Sequence, residues 1–408
     1  MRIAQVETFP VQVPMDSKEV YWGNQMWGYN KKKEKAAGGF LPEEDRTGYP
    51  YFWRSRPSYS KTIDTVLVKI TADNGLIGWG EAKAPVAPRI TASVINELAG
   101  GLLIGQDPSD PVLQWERLYG SMRIRGNREG FWMQAMSGID IALWDLTARW
   151  LEVPLSKLLG GNFRNRVKVY YSGIPGVRAG SPNEAWDNLK RTTENVLGRG
   201  FRAAKIGIGL GIEGDVRTVE TVRAVVGQEF TLYVDAAGMY NLPEGIELGK
   251  ALEQYDIGWL EAPLAHEEFE NYGRLSRSVN VPIASDQIFN RWQVCDFFLQ
   301  GGLDVVQPDV CRTGGLTECK RIGELADAFG KAVTPHISTG TAVQFAASVH
   351  LAAAMPNQTA MEFWAGSTAN TMMMKGSFRI EDGYFWVPEG PGLGIEVDEE
   401  ALSRYFVD

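Results

Sequence analysis

At 408 residues the chain is too long for one ordinary hydrophobic core and predicts two domains. Its 44% hydrophobic and 22% charged residues are those of a soluble globular protein. The net charge of −9 argues against a surface for nucleic acid or anionic membrane, yet leaves open a small anionic substrate held by a local cation.

Residues 1–14 alternate apolar and polar (Ile3, Val6, Phe9, Val11, Val13), as a half-buried strand does, and contain no apolar signal core. No uninterrupted apolar run is long enough to span a bilayer. Cys295, Cys311 and Cys319 are odd in number, lack paired metal spacing and read as reduced thiols. These features together give a cytoplasmic protein as the expectation.

Residues 15–60 are long for a connection between two strands. They carry Trp22, Trp53 and many other aromatics, plus Arg54 and Arg56. Disordered loops are poor in aromatics, so this stretch reads as an ordered flap over a site, with an oligomer contact as the alternative. A second strand, TIDTVLVKIT, and the Asn74-Gly75 turn into LIGWGE form a hairpin signal. Helical patterns follow at about 89–102, 111–122 and 131–151. Residues 1–150 are thus expected to form an α+β module.

From Val167 strands and helices alternate. Strands are predicted at VKVYYSG, FRAAKIG, FTLYVDA, IGWLEA, VPIASD, DVVQPD, KAVTPH and AMEFW. Ser181-Pro182-Asn183-Glu184 opens the first intervening helix with a capping-box pattern. Eight strands with seven helices predict a modified TIM barrel, (β/α)7β, over residues 151–370. Residues 371–408 include PEGPGLG, too rich in Gly and Pro for a helix, and are expected to return to the N-terminal module.

Polar groups recur near the ends of these strands: Asp235, Glu261, Asp286, Asp309, His336 and Glu362, with gaps of 26, 25, 23, 27 and 26 residues. Such barrels deliver their strand ends to one rim, where the chemistry sits. Asp235, Glu261 and Asp286 fall on three consecutive strands. Three gathered carboxylates repel one another without a cation, and with no His or Cys among them they suit Mg²⁺ better than zinc. Taken singly, each reads as a helix cap or a solvated loop residue; the regular triple at strand ends turns the reading to a Mg²⁺ site. His336 and Asp309 end neighbouring strands. A carboxylate on one imidazole nitrogen fixes the tautomer and strengthens the other nitrogen as a general base. Lys205, inside an apolar run, either points into the barrel mouth or lies on the exterior. Glu362 is a candidate hydrogen-bonding partner for substrate. A metal, a base and a lysine suit removal of a weakly acidic α-proton next to a carboxylate, where the enediolate needs cationic support.

In its ordered set of stretches the chain resembles the enolase superfamily, mandelate racemase subgroup. Those stretches are GLIGWGEA, SGIDIALWDLTARWLEVPLSKLLGG, YVDAAG, WLEAPL, IASD, QPDVCRTGGLTE, HISTGTAVQFAASVHLAAAMPN, MEFW and PEGPGLG. The resemblance implies a capping α+β domain completed by the C-terminal tail, a (β/α)7β barrel, and a homo-oligomer. It implies Mg²⁺ on Asp235, Glu261 and Asp286, a His336–Asp309 base dyad, Glu362 bonded to the substrate carboxylate, and Lys205 contacting that carboxylate. The 15–60 insert matches the family's specificity loop. Two departures matter. The second lysine of the family's Lys-x-Lys is replaced by Gly207, and an Asn found in many members is replaced by Ala237. Two-base racemisation loses one base, so a lyase, a sugar-acid dehydratase, is the expected activity. An epimerase, racemase or cycloisomerase is the runner-up, and a barrel that only binds a ligand is the reading from another class.

Overall fold

The computed structural model describes residues 1–14, 62–174, 182–209, 211–338, 340–364 and 373–407. Trp22, Trp53, Arg54 and Arg56, with the rest of the expected flap, lie outside the described residues, as does Ser181 of the expected capping box.

The N-terminal module is a three-stranded antiparallel sheet, β1 (Ile3–Pro14), β2 (Thr62–Ala72) and β3 (Ile77–Lys83). The helical pattern expected at 89–102 is split into an α-helix, α1 (Pro88–Val94), a π turn and a 3₁₀ turn. Helices α2 (Pro111–Arg123) and α3 (Phe131–Trp150) follow. The apolar face of α3 lies on β3, and their backbones approach closely because both are glycine at the contact. A Cβ at Gly80 would collide with the Gly138 carbonyl oxygen, and one at Gly78 with that of Ala142. Gly80→Ala is therefore expected to overpack this seam and destabilise the protein by about 1–3 kcal/mol, read as a lower denaturant midpoint at unchanged slope.

The barrel has eight parallel strands: β4 (Arg166–Ile174), β5 (Ala203–Gly207), β6 (Thr231–Asp235), β7 (Trp259–Glu261), β8 (Ile283–Ser285), β9 (Val305–Val306), β10 (Ala332–Val333) and β11 (Met361–Trp364). They pair in sequence order from β4 to β10. β11 closes the ring by pairing with β4, and a single bridge, Val333 to Gln358, links it to β10. Among the described residues seven helices connect the strands, from Pro182–Gly198 to Ala342–Ala353. No further helix directly follows β11 among the described residues.

Among the described residues the tail forms four short strands. Tyr384–Trp386 pairs antiparallel with Arg166–Lys168 at the foot of β4. The Gly- and Pro-rich stretch stays non-helical, but a short helix, Glu399–Ser403, forms after it because Asp398 accepts from Ala401 N–H as its N-cap. The chain then reaches β1: Gln12 N–H donates to Tyr405 O at 3.0 Å and Val407 N–H to Pro10 O at 3.1 Å. Among the described residues the three cysteines are free, and no helix is long and apolar enough to cross a membrane.

Candidate active site

Side chains in a strand alternate, so positions two apart share a face. That rule builds the site in layers. The barrel floor is an apolar cluster of Tyr170, Ala203, Tyr233, Trp259, Ala284, Val305 and Ala360. Tyr233 and Trp259 stack there with ring centroids 3.5 Å apart. Two residues further along each strand stand Ser172, Lys205, Asp235, Glu261, Asp286, Gln307 and Glu362. Another step of two from Gln307 reaches Asp309. The pairing staggers these positions from strand to strand: Asp235 pairs with Glu261 but also with Gly207, while Lys205 pairs with Tyr233 one step lower. Non-glycine residues turn left-handed beside this rim at Ala237, Ala262 and Ser338. Each is a position where local strain of about 1–3 kcal/mol is held by the surrounding fold.

Lys205 is inside the barrel, with its ammonium 2.7 Å from Glu261 Oε1, 3.1 Å from Glu362 Oε1 and 3.4 Å from Asp235 Oδ2. Glu261 also accepts from Gln307 Nε2 at 2.7 Å and from the Trp259 indole at 3.1 Å. Burial raises the Asp235 and Glu261 carboxyls; Lys205 opposes this, and the neighbouring acids add to it. Burial also pushes Glu362 up, but Lys205 and His336 outweigh it and hold the carboxyl well below its usual range. Glu362 is accordingly an acceptor in this structure, taking the Ile337 and Ser338 N–H groups at 2.8 and 2.9 Å.

His336 Nδ1 lies 3.0 Å from Asp309 Oδ2. Its Nε2 faces Asp286 Oδ2 at 3.5 Å and Glu362 Oε2 at 3.6 Å. Asp309 is fully buried and its acceptor positions are filled: Oδ1 takes Cys311 N–H and Gln344 Nε2, both at 2.9 Å, and Oδ2 takes Lys83 Nζ at 2.7 Å besides the imidazole. Burial would raise this carboxyl, but Lys83 and His336 dominate and keep it far below the usual range. An ionised Asp309 only accepts, so Nδ1 donates the proton it shares with Oδ2, and Nε2 is the nitrogen turned toward the other acids.

All seven predicted catalytic and metal residues therefore meet at one rim. Lys83, Gln307, Gln344 and Arg312 were not singled out from the sequence, although QPD places Gln307 two residues before Asp309. Arg312 reaches the Asp286 backbone carbonyl and lies 3.4 Å from its Oδ2. His350 is buried and structural, accepting from Ser156 N–H and bonded to Leu393 O. His266 sits on the surface beside Glu267.

Among the described residues no three acidic, imidazole or thiol groups stand ready to chelate a metal ion as they are. The Lys205 ammonium takes the counter-charge position among Asp235, Glu261 and Glu362. The charge count still favours a cation. Five carboxylates (Asp235, Glu261, Asp286, Asp309, Glu362) face three cations (Lys83, Lys205, Arg312) in one salt-bridged cluster. Acidic side chains outnumber the basic ones by two here, an excess that a bound divalent ion would offset. Oxygen-only donors on Asp235, Glu261 and Asp286 suit Mg²⁺, provided the three carboxylates close on it.

Residues 55–160 match the mandelate racemase / muconate lactonizing enzyme N-terminal domain, and residues 188–401 match the enolase C-terminal domain-like family. The chain belongs to this family. It is 35% identical to a D-galactarolactone cycloisomerase of Agrobacterium fabrum, over 83% of this chain and 90% of the relative. It is 33% identical to a D-galactonate dehydratase of Pectobacterium atrosepticum, again over 83% and 90%. The crystal structure of an enolase superfamily member from Agrobacterium tumefaciens superposes with a TM-score of 0.86 at 28% identity, covering 98% of both chains. The family's modified barrel and capping domain account for the topology described above.

Proposed function

We propose that this family member is a Mg²⁺-dependent enzyme that removes the α-proton of a sugar-acid carboxylate and then expels the β-hydroxyl, giving a 2-keto-3-deoxy acid. The observation that carries this reading is the single imidazole at the rim: His336 Nε2 faces Asp286 and Glu362 at 3.5 and 3.6 Å, while the rim position two residues past Lys205 is Gly207 and offers no second base. Asp235, Glu261 and Asp286 would hold the ion, which when bound supplies positive charge to the substrate carboxylate. Lys205 adds a further positive charge at that end, and Glu362 fixes the Ile337–Ser338 turn next to His336.

The proton balance needs only one side chain. His336 Nε2 takes the C2 proton, and the C–H electron pair becomes the enediolate. The imidazolium then returns that proton to the departing 3-hydroxyl, the electron pair forms the C2–C3 double bond, and water leaves. The enol tautomerises to the keto acid. Lys83 and the imidazole share Asp309 Oδ2, at 2.7 and 3.0 Å.

The 35% identical cycloisomerase favours a second reading on the same machinery. A ring oxygen β to the acidic carbon would then leave in place of hydroxide, and no water would be lost. Incubation with mono- and diacid sugars and their lactones, with Mg²⁺ or with EDTA, separates the two. A Mg²⁺-dependent product lighter by one water supports dehydration. An isomeric product supports cycloisomerisation. Absence of both, with no C2 proton exchange into D₂O on any acid, contradicts the proposed chemistry and leaves a binding role.

A further inference from the structure

Lys83 is the last residue of β3 in the capping module, is 3% exposed, and places a full positive charge beneath the barrel's base dyad. Burying an ammonium is costly unless it is paired and hydrogen-bonded, so a fold that keeps one there has a reason tied to its partners. Those partners are specific. The Lys83 backbone N–H donates to Cys311 O at 2.9 Å, on the loop that carries Asp309. The ammonium donates to Asp309 Oδ2 at 2.7 Å and to the carbonyl oxygen of Ile337, the residue after His336. Gln344 Nε2 spans the same pair from the other side, at 2.9 Å to Asp309 Oδ1 and 3.0 Å to Ile337 O.

We propose that Lys83 is a positioning residue for the His336–Asp309 dyad, by which the capping module fixes the carboxylate plane and the backbone beside the imidazole. The two rim loops that carry the acid and the base are separate in sequence; Gln344 and the His336 N–H to Pro308 O bond at 3.2 Å already join them, and Lys83 adds a tie from the capping module. Lys83 ties them to each other and to β3. Docking of the capping module thus sets the direction of His336 Nε2. This inference rests on the reading of His336 as the proton carrier.

The test uses the full-length protein, Lys83→Met, which keeps the stem and removes the charge, and Lys83→Gln, which keeps a donor. The acid sugar turned over fastest in the screen above is the substrate. Lys83→Met is expected to lower kcat by about 10–100-fold with KM within about twofold, and Lys83→Gln to recover part of the loss. Histidine-selective ¹⁵N NMR of the metal-free protein adds a readout that needs no turnover. With three histidines in the chain, the wild type should show His336 as one Nδ1–H tautomer. Lys83→Met should show mixed or broadened ring signals, with His350 unchanged as reference. Unaltered kcat or unaltered ring signals overturn the proposal, as does a parallel rise in KM. So does failure of both variants to fold, which makes the role structural only. An inactive wild type with the expected ring signals overturns the proposed reaction instead, and leaves the positioning role standing.

Discussion

His336→Asn is expected to reduce turnover by about 10⁴-fold, the upper end of what a positioned proton carrier supplies, because one ring serves both proton steps. The loss should fall on kcat, since asparagine retains a short polar side chain that can still donate toward Asp309 Oδ2, now 3.0 Å from the ring. Mg²⁺ binding should survive, because the ring is not among the three proposed ligands. The measurement is steady-state keto-acid formation alongside a Mg²⁺ titration of the same preparation. Activity within about tenfold of wild type would remove His336 from the chemistry. Loss of Mg²⁺ binding together with activity would move the ring into the metal site.

Glu261→Gln is expected to weaken Mg²⁺ binding by about 100-fold or more, with activity lost in proportion at limiting ion. Glu261 is fully buried and bridges Lys205, Trp259 and Gln307, so its carboxylate is held in place by three donors. Glutamine preserves the volume and one acceptor oxygen but removes the charge that a divalent ion requires. Thermal melts make the difference visible without any substrate. A ligand that binds only the folded state at 100 times its Kd stabilises it by about 2.7 kcal/mol. Mg²⁺ should therefore raise the melting temperature of the wild type and leave that of Glu261→Gln nearly unchanged. Equal rises in both proteins would place the ion elsewhere.

Much of the site was legible because two periods act together. The spacing of about one βα unit marks the strand ends, and the two-residue alternation decides which side chains face inward. Asp235, Glu261 and Glu362 obey both, so a linear pattern sufficed to gather them. Lys205 obeys them too, yet the sequence left its direction open, because an apolar run has no polar residue to mark the outer face. Its place two residues past Ala203, which lies in the barrel floor, settles that direction. Lys83 was illegible for another reason. It meets Asp309 across 226 residues, and a contact between modules leaves no local pattern. The short helix at Glu399–Ser403 was hidden by the glycines and prolines just before it, which stop a helix but do not prevent one from starting at Asp398. The strand Tyr384–Trp386 at the foot of β4 was likewise unmarked, since three residues are too few to show alternation.

A crystal structure with Mg²⁺ and a slowly turned-over acid sugar tests the account most directly. It should show the cation held by Asp235, Glu261 and Asp286, and the C2 hydrogen of the sugar directed at His336 Nε2. A cation bound away from those three carboxylates, or a sugar whose C2 hydrogen points toward Gly207 with the imidazole turned aside, would contradict it.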